Sequence, residues 1–415
     1  MLAELAGYLQ IEPWPLEPQV PFWGALALVA GALLGEAVRR LFGVPRIVGY
    51  SAVGLLIGLG GWGGGVLHGP ARLVVDLALA LLLFELGSRV RLRWLQANPA
   101  LLATSALEAF ASLAAIYLAL RWAGQPVNVA LACATLGTCA SGAVISRVAS
   151  ELKSAGQVTE RMIVLTALNT LLAVLAHKLV IGWLHLDVGG DWVRAVSQPL
   201  WAFGGSVLLA ALLSRLVAWV ARRLELRDEN AVLLLLGMVV LALMIAQLAN
   251  LSTLLVPLLA GVLLRNSTER PWVWPRHFGT AGGVLVLMLF VVVGSVVTLD
   301  ALLVGGGLAI VLLLARGIAK TAAVFAFARW SGIGLRQAAG LSLALTPLSG
   351  TVLVLLTDLQ LTHPGFAPQV VPIVLSAIAF MELLGPLAVQ WGLRLAGEHR
   401  PEPTWRSAAA NGAAA

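Results

Sequence analysis

Four ionisable side chains lie deep inside long apolar runs of this sequence: Glu108, Arg316, Lys320 and Glu382. If those runs are buried in a bilayer, each charge costs about 2.5–3.5 kcal/mol to place there, so each needs a partner or a task. Arg316 and Lys320 stand four residues apart, a spacing that puts both on one face of a helix. A buried lysine can give up and regain a proton, whereas an arginine stays charged. Lys320 is therefore a candidate proton carrier, and the alternative is an ion pair that holds helices together. Glu108 and Glu382 are the carboxylates that could face it. Asn169 and Thr170 fall at similar depth in another apolar run and could supply neutral oxygens.

A second pattern is a repeat. Thr138-Cys139-Ala140-Ser141-Gly142-Ala143-Val144-Ile145 and Thr346-Pro347-Leu348-Ser349-Gly350-Thr351-Val352-Leu353 both read T-x-x-S-G-x-V-aliphatic. Gly and Pro weaken a helical ladder inside a membrane, and hydroxyls re-satisfy the freed backbone groups. Thr138, Ser141, Gly142, Thr346, Pro347, Ser349 and Gly350 are thus candidates for two interrupted helices whose dipole ends converge on an ion site. The competing explanation is close packing by small residues.

These residues need elements to hold them. The 415-residue chain is 60% hydrophobic and 11% charged, with a mean hydropathy of +0.93. A soluble domain carries roughly 25% charged residues, so the bilayer must be the solvent. Long Leu/Ala/Val runs such as 231–246 point to helices rather than to the alternating strands of a barrel. Thirteen spans are expected, at 22–42, 46–60, 71–88, 98–121, 127–148, 160–184, 199–222, 231–249, 252–265, 281–299, 302–328, 336–357 and 368–394. Glu36, Arg39 and Arg40 continue the first into the next hairpin, which a cleavable signal peptide would not do. On alternate sides of these spans, 20 Lys and Arg fall on one face and three on the other, with four inside spans. By the positive-inside rule the N-terminus is outside and the C-terminus inside, and the net charge of +7 needs no nucleic-acid partner. The repeat lies in spans five and twelve, seven apart, so its copies cross in opposite senses as an inverted repeat requires.

The remaining charges read more simply. Glu36 pairs with Arg39 and Arg40 at helical spacing. Asp76 and Glu85 are expected to be solvated or paired, and His177 and Lys178 to snorkel from an outer span end. Tryptophans 14, 23, 62, 94, 122, 183 and 192 fall near span ends, where amphipathic rings anchor. Cys133 and Cys139 share one apolar segment and imply neither a disulfide framework nor a metal site. No cofactor motif appears. No catalytic pair such as H-E-x-x-H is present, which argues against an intramembrane enzyme.

Several short segments, in order, resemble the cation/proton antiporter superfamily, in particular its second branch of bacterial sodium/proton and potassium/proton exchangers. Pro45-Arg46-Ile47-Val48-Gly49 running to Gly54 is similar to the family's entry to its second helix. Leu83-Phe84-Glu85-Leu86-Gly87 resembles a stretch of the third, and Ser252 with Ala260-Gly261-Val262-Leu263-Leu264 resembles a later S-x-L-x-x-x-x-A-G-x-L-L element. Phe290 to Gly294 and Glu382-Leu383-Leu384-Gly385-Pro386 complete the set.

The resemblance implies exchange of Na⁺ or K⁺ for H⁺ by a homodimer in a bacterial-type inner membrane, with an elevator-like movement. It implies an N-terminal extracytoplasmic segment (1–21), scaffold helices 1–3 (22–96) and 8–10 (231–299), and core helices 4–6 (97–185) and 11–13 (302–396). A linking helix would occupy 199–223, and residues 397–415 are expected to form a disordered cytoplasmic tail. No G-x-G-x-x-G follows the spans, so the nucleotide-binding domain of some potassium exchangers is not expected. One departure matters most. The family usually carries a pair ending in Asp in the sixth span, and here the matching place reads Asn169-Thr170. Threonine offers an oxygen but no useful titration. Glu108 or Glu382 would have to replace the lost carboxylate. Otherwise the scaffold serves a passive channel, a sensor, or an anion carrier with its anion between Lys320, Arg316 and the helix N-termini.

Overall fold

A computed structural model describes residues 20–63, 70–187, 192–223, 228–267, 278–348 and 350–399. Among these residues there is no strand; sixteen α-helices account for nearly all of them. In chain order they are α1 (Val20–Phe42), α2 (Arg46–Leu59), α3 (Pro70–Ser88), α4 (Leu92–Ala97), α5 (Pro99–Trp122), α6 (Val127–Thr138), α7 (Gly142–Glu151) and α8 (Gln157–Asp187). They continue with α9 (Trp192–Arg223), α10 (Asp228–Leu248), α11 (Leu255–Ser267), α12 (Phe278–Ser295), α13 (Leu299–Ala328), α14 (Leu335–Ala344), α15 (Gly350–Thr362) and α16 (Ala367–Ala396). Among the described residues six segments are long and apolar enough to cross a membrane, and several shorter apolar helices accompany them.

The two repeat segments are where helices stop. The fifth expected span is split into α6 and α7 by Cys139–Ser141, and the twelfth into α14 and α15. At the first break Cys139 turns to φ −55°, ψ 144°, and Ser141 caps α7 by accepting from the Val144 amide at 3.3 Å. At the second, Pro347 removes a donor and biases Thr346 away from helical geometry. The two breaks touch: the Ser141 amide donates to the Pro347 carbonyl at 3.0 Å. The segment 127–151 is 94% buried, so this junction lies inside the protein rather than against lipid.

Some boundaries differ from expectation. The six-residue α4 lies between two spans where no helix was foreseen, and α9 begins at Trp192 rather than near 199, carrying Pro199 within it. The expected disordered tail begins in order. Gly397 closes α16 in the left-handed conformation, and Glu398 accepts from the Val158 and Thr159 amides at 2.8 Å each, capping α8. Residues 1–19, including Trp14, and 400–415 lie outside the described residues.

Helices α3 and α11 approach so closely that their backbones nearly touch. A Cβ on Gly87 would sit 2.2 Å from the Leu258 carbonyl oxygen, and one on Gly261 2.2 Å from that of Phe84. Small residues at such a crossing let dispersion contacts replace the hydrophobic drive that lipid does not supply. A hydrophobic cluster then joins α3, α9, α10 and α11, while the largest cluster surrounds the two breaks. Gly261→Val is expected to lower the thermal midpoint of the detergent-solubilised protein, overpacking of this kind costing about 1–3 kcal/mol. Gly237→Ala on α10, where an added Cβ meets nothing, should leave the midpoint unchanged.

Candidate functional site

The site is built around α13, because this helix carries both interior cations. Arg316 is 1% exposed. Its Nε donates to the Gly137 carbonyl at 2.6 Å, and Nη2 to those of Cys139 at 2.6 Å and Pro347 at 3.3 Å; Nη1 donates to the Thr346 carbonyl. Gly137 and Cys139 close α6, and Thr346 and Pro347 lie just beyond α14. One guanidinium therefore serves the carbonyl ends of both interrupted helices, where partial negative charge collects and no intrahelical donor remains. Among the described residues no carboxylate pairs with it. The sequence left Arg316 open between an ion-site residue and a structural ion pair; its partners are backbone carbonyls.

One turn further along, Lys320 is fully buried and its ammonium donates to Glu108 Oε1. Glu108, on α5, is also fully buried, and the same Oε1 accepts from Asn169 Nδ2 of α8 at 3.1 Å. Three helices thus bring together a carboxylate, an ammonium and a carboxamide. The second oxygen of each acceptor group is left over: Glu108 Oε2 and Asn169 Oδ1 have no hydrogen-bond partner. Ser105 and Ser112, three residues before and four after Glu108, are buried on the same face of α5 with partnerless hydroxyls. A buried polar atom left unpaired costs about 1–3 kcal/mol. The free oxygens of Glu108 and Asn169, with two partnerless hydroxyls on the same helix face as Glu108, are suited to a cation, a proton or water.

The other candidates are placed as follows. Thr170 spends its hydroxyl proton on the Thr166 carbonyl at 2.9 Å, and Thr138 on that of Ala134 at 2.8 Å. Thr346 does the same with Leu343 at 2.8 Å. Each keeps acceptor capacity. Gly142 starts α7 against Leu86, and Gly350 starts α15 against Leu79 and Leu289. Ser349 lies outside the described residues. Glu382 stands apart from the triad: fully buried on α16, it accepts from the Ser51 hydroxyl of α2 at 2.5 Å, and its Oε1 has no partner.

His177 does not snorkel as expected. It is fully buried, 3.1 Å from the Thr135 hydroxyl and 3.7 Å from Asp358 of α15, while Lys178 donates to Asp358 at 2.8 Å. Asp358 pulls both side chains toward the protein, and sequence inspection missed it because only packing brings α15 beside α8. Asp76 is paired with Gln247 at 3.0 Å and Glu85 with Arg89 at 2.7 Å, in line with expectation, as is the Glu36 contact to Arg40 at 2.6 Å. Ser105 and Ser112 were also missed, although their helical spacing about Glu108 was a readable signal.

Two structures of the sodium/proton antiporter MjNhaP1 from Methanocaldococcus jannaschii share this fold. One, at pH 8, is 15% identical with a TM-score of 0.66, and the other, from an electron-microscopy map, is 16% identical with a TM-score of 0.69. Each match covers 92% of this chain and 98% of MjNhaP1. At that identity the likeness concerns the fold. A family model described as "Sodium/hydrogen exchanger, transmembrane" matches residues 24–395. The protein is therefore a multi-pass membrane transporter of the sodium/hydrogen exchanger family.

Proposed function

We propose that this protein exchanges a monovalent cation, Na⁺ or K⁺, for H⁺, with Glu108 in place of the aspartate that the family usually carries beside Asn169. The observation that carries this reading is the buried Glu108–Lys320 pair with partnerless oxygens on Glu108 and Asn169. In one state the Lys320 ammonium neutralises the carboxylate. In the other a dehydrated cation does so, held by Glu108 Oε2 and Asn169 Oδ1, and Lys320 has surrendered its proton. Two positive charges beside one carboxylate in a low-dielectric site are costly. Cation and proton therefore exclude each other, and exchange is one for one.

The reading includes thirteen spans, N-terminus outside and C-terminus inside, in a bacterial-type inner membrane. Residues 22–96 and 231–299 form the scaffold and dimer surface, 199–223 the linking helix, and 97–185 with 302–396 the core that moves as an elevator. The cluster uniting α3, α9, α10 and α11 supports a separate scaffold, and the α6/α7 and α14/α15 junction supports an inverted-repeat core. The anion-carrier alternative is disfavoured because Arg316 already directs its donors at four carbonyls.

In proteoliposomes with an imposed pH gradient, adding Na⁺, K⁺ or Li⁺ in turn should collapse the gradient for at least one ion. Glu108→Gln and Lys320→Ala should abolish the response. Lys320→Arg should keep the fold and lose exchange, since arginine holds its proton. No response to any cation, or a full rate in Glu108→Gln, would overturn the proposal.

A separate expectation concerns Arg316→Lys. Lysine keeps the charge but cannot reach four carbonyls in one plane, and breaking a buried charged network costs about 3–5 kcal/mol. Cys133 and Cys139 are free and buried, so a thiol-reactive dye reports unfolding. Labelling should begin at a clearly lower temperature in Arg316→Lys than in the unsubstituted protein.

A further inference from the structure

A cavity of about 260 Å³ opens at the ends of the three helices that carry the triad. It is lined by Trp94 of α4, Asn98, Pro99 and Ala100 at the start of α5, Arg161 in the first turns of α8, and Trp330 just after α13. Arg161 precedes Asn169 by eight residues, Pro99 precedes Glu108 by nine, and Ala328 follows Lys320 by eight. At the rise of an α-helix the cavity therefore lies about 12–14 Å along the axes from the triad. It is on the face that holds the excess of basic side chains.

Arg161 is the unusual wall. It is 7% exposed, and its hydrogen-bond partners are neutral: Gln157 Oε1 at 3.0 Å and the Ser331 carbonyl. No carboxylate of the described residues comes within ion-pair distance. The acidic group that acts on its charge from further off is Glu398, whose two oxygens are already taken by the α8 amides and the Thr159 hydroxyl. A guanidinium withdrawn from water with no carboxylate in direct contact, at the edge of an open cavity, is placed to receive an anion. The remaining walls fit one. The N-terminus of the 24-residue α5 has no side-chain cap, so its positive end faces the space uncompensated. Arg93 and Arg329, next in sequence to the two tryptophans, are exposed. Trp330 is 77% exposed and Trp94 half-buried, the amphipathic pair expected where a ring meets headgroups.

We infer that this cavity binds a phosphate-bearing anion, and its place at the basic membrane edge fits the headgroup of an anionic phospholipid. The site does not depend on the transport reading, and its test reads binding alone. The full-length chain, purified in detergent, is mixed with phosphatidylglycerol, phosphatidylcholine or inorganic phosphate and examined by native mass spectrometry. Phosphatidylglycerol should be retained over phosphatidylcholine by about tenfold or more. Arg161→Gln should erase that preference. Ala97→Asp, which puts a negative charge on the exposed rim and leaves Arg161 in place, should do the same without threatening the fold. Retention of inorganic phosphate with no lipid preference, lost in both variants, would assign the site to a soluble phosphate. Equal binding of the two lipids with no retained phosphate, or a preference that survives both substitutions in folded protein, would overturn the inference.

Discussion

The structure turns on one guanidinium among four carbonyls. A helix interrupted inside a membrane exposes carbonyl groups that neither lipid nor water satisfies, and the cost rises when two such ends are brought together. Arg316 meets both ends at once, with a planar fork of donors that no other side chain offers. The partial negative charge of two half-helix ends in turn compensates the buried cation. Each half of this arrangement makes the other tolerable. The direct bond from Ser141 to Pro347 then joins the two breaks.

Placing Arg316 also places Lys320. The two are one turn apart on a 30-residue helix, so fixing the first on the junction aims the second at the neighbouring α5 and α8. There it meets Glu108 and Asn169. In the proposed reading the carboxylate of the site is Glu108 on α5, where α5, α8 and α13 converge. The Glu108–Lys320 pair balances its own charge and leaves Glu108 Oε2 and Asn169 Oδ1 without partners.

The all-helical membrane character, the breaks and the placing of both basic residues on one face of α13 were legible in the sequence, because composition, the T-x-x-S-G repeat and helical spacing are local properties. The choice between Glu108 and Glu382 as the partner of Lys320 was not. Both lie at similar depth, and only the packing of α5 against α13, and of α16 against α2, separates them. The partners of Arg316 were invisible for a different reason: backbone carbonyls carry no sequence signature. Asp358 escaped notice because its meaning comes from His177 and Lys178, the latter 180 residues away in the chain.

The central claim is that cation and proton compete for one buried carboxylate. Its most direct test is proton release on cation binding, read with a pH indicator in weakly buffered, detergent-solubilised protein with no membrane and no gradient. Adding saturating Na⁺ or K⁺ should release about one proton per chain, since a single lysine gives up its charge to a single cation. Cation binding detected by calorimetry with no proton released would contradict the account.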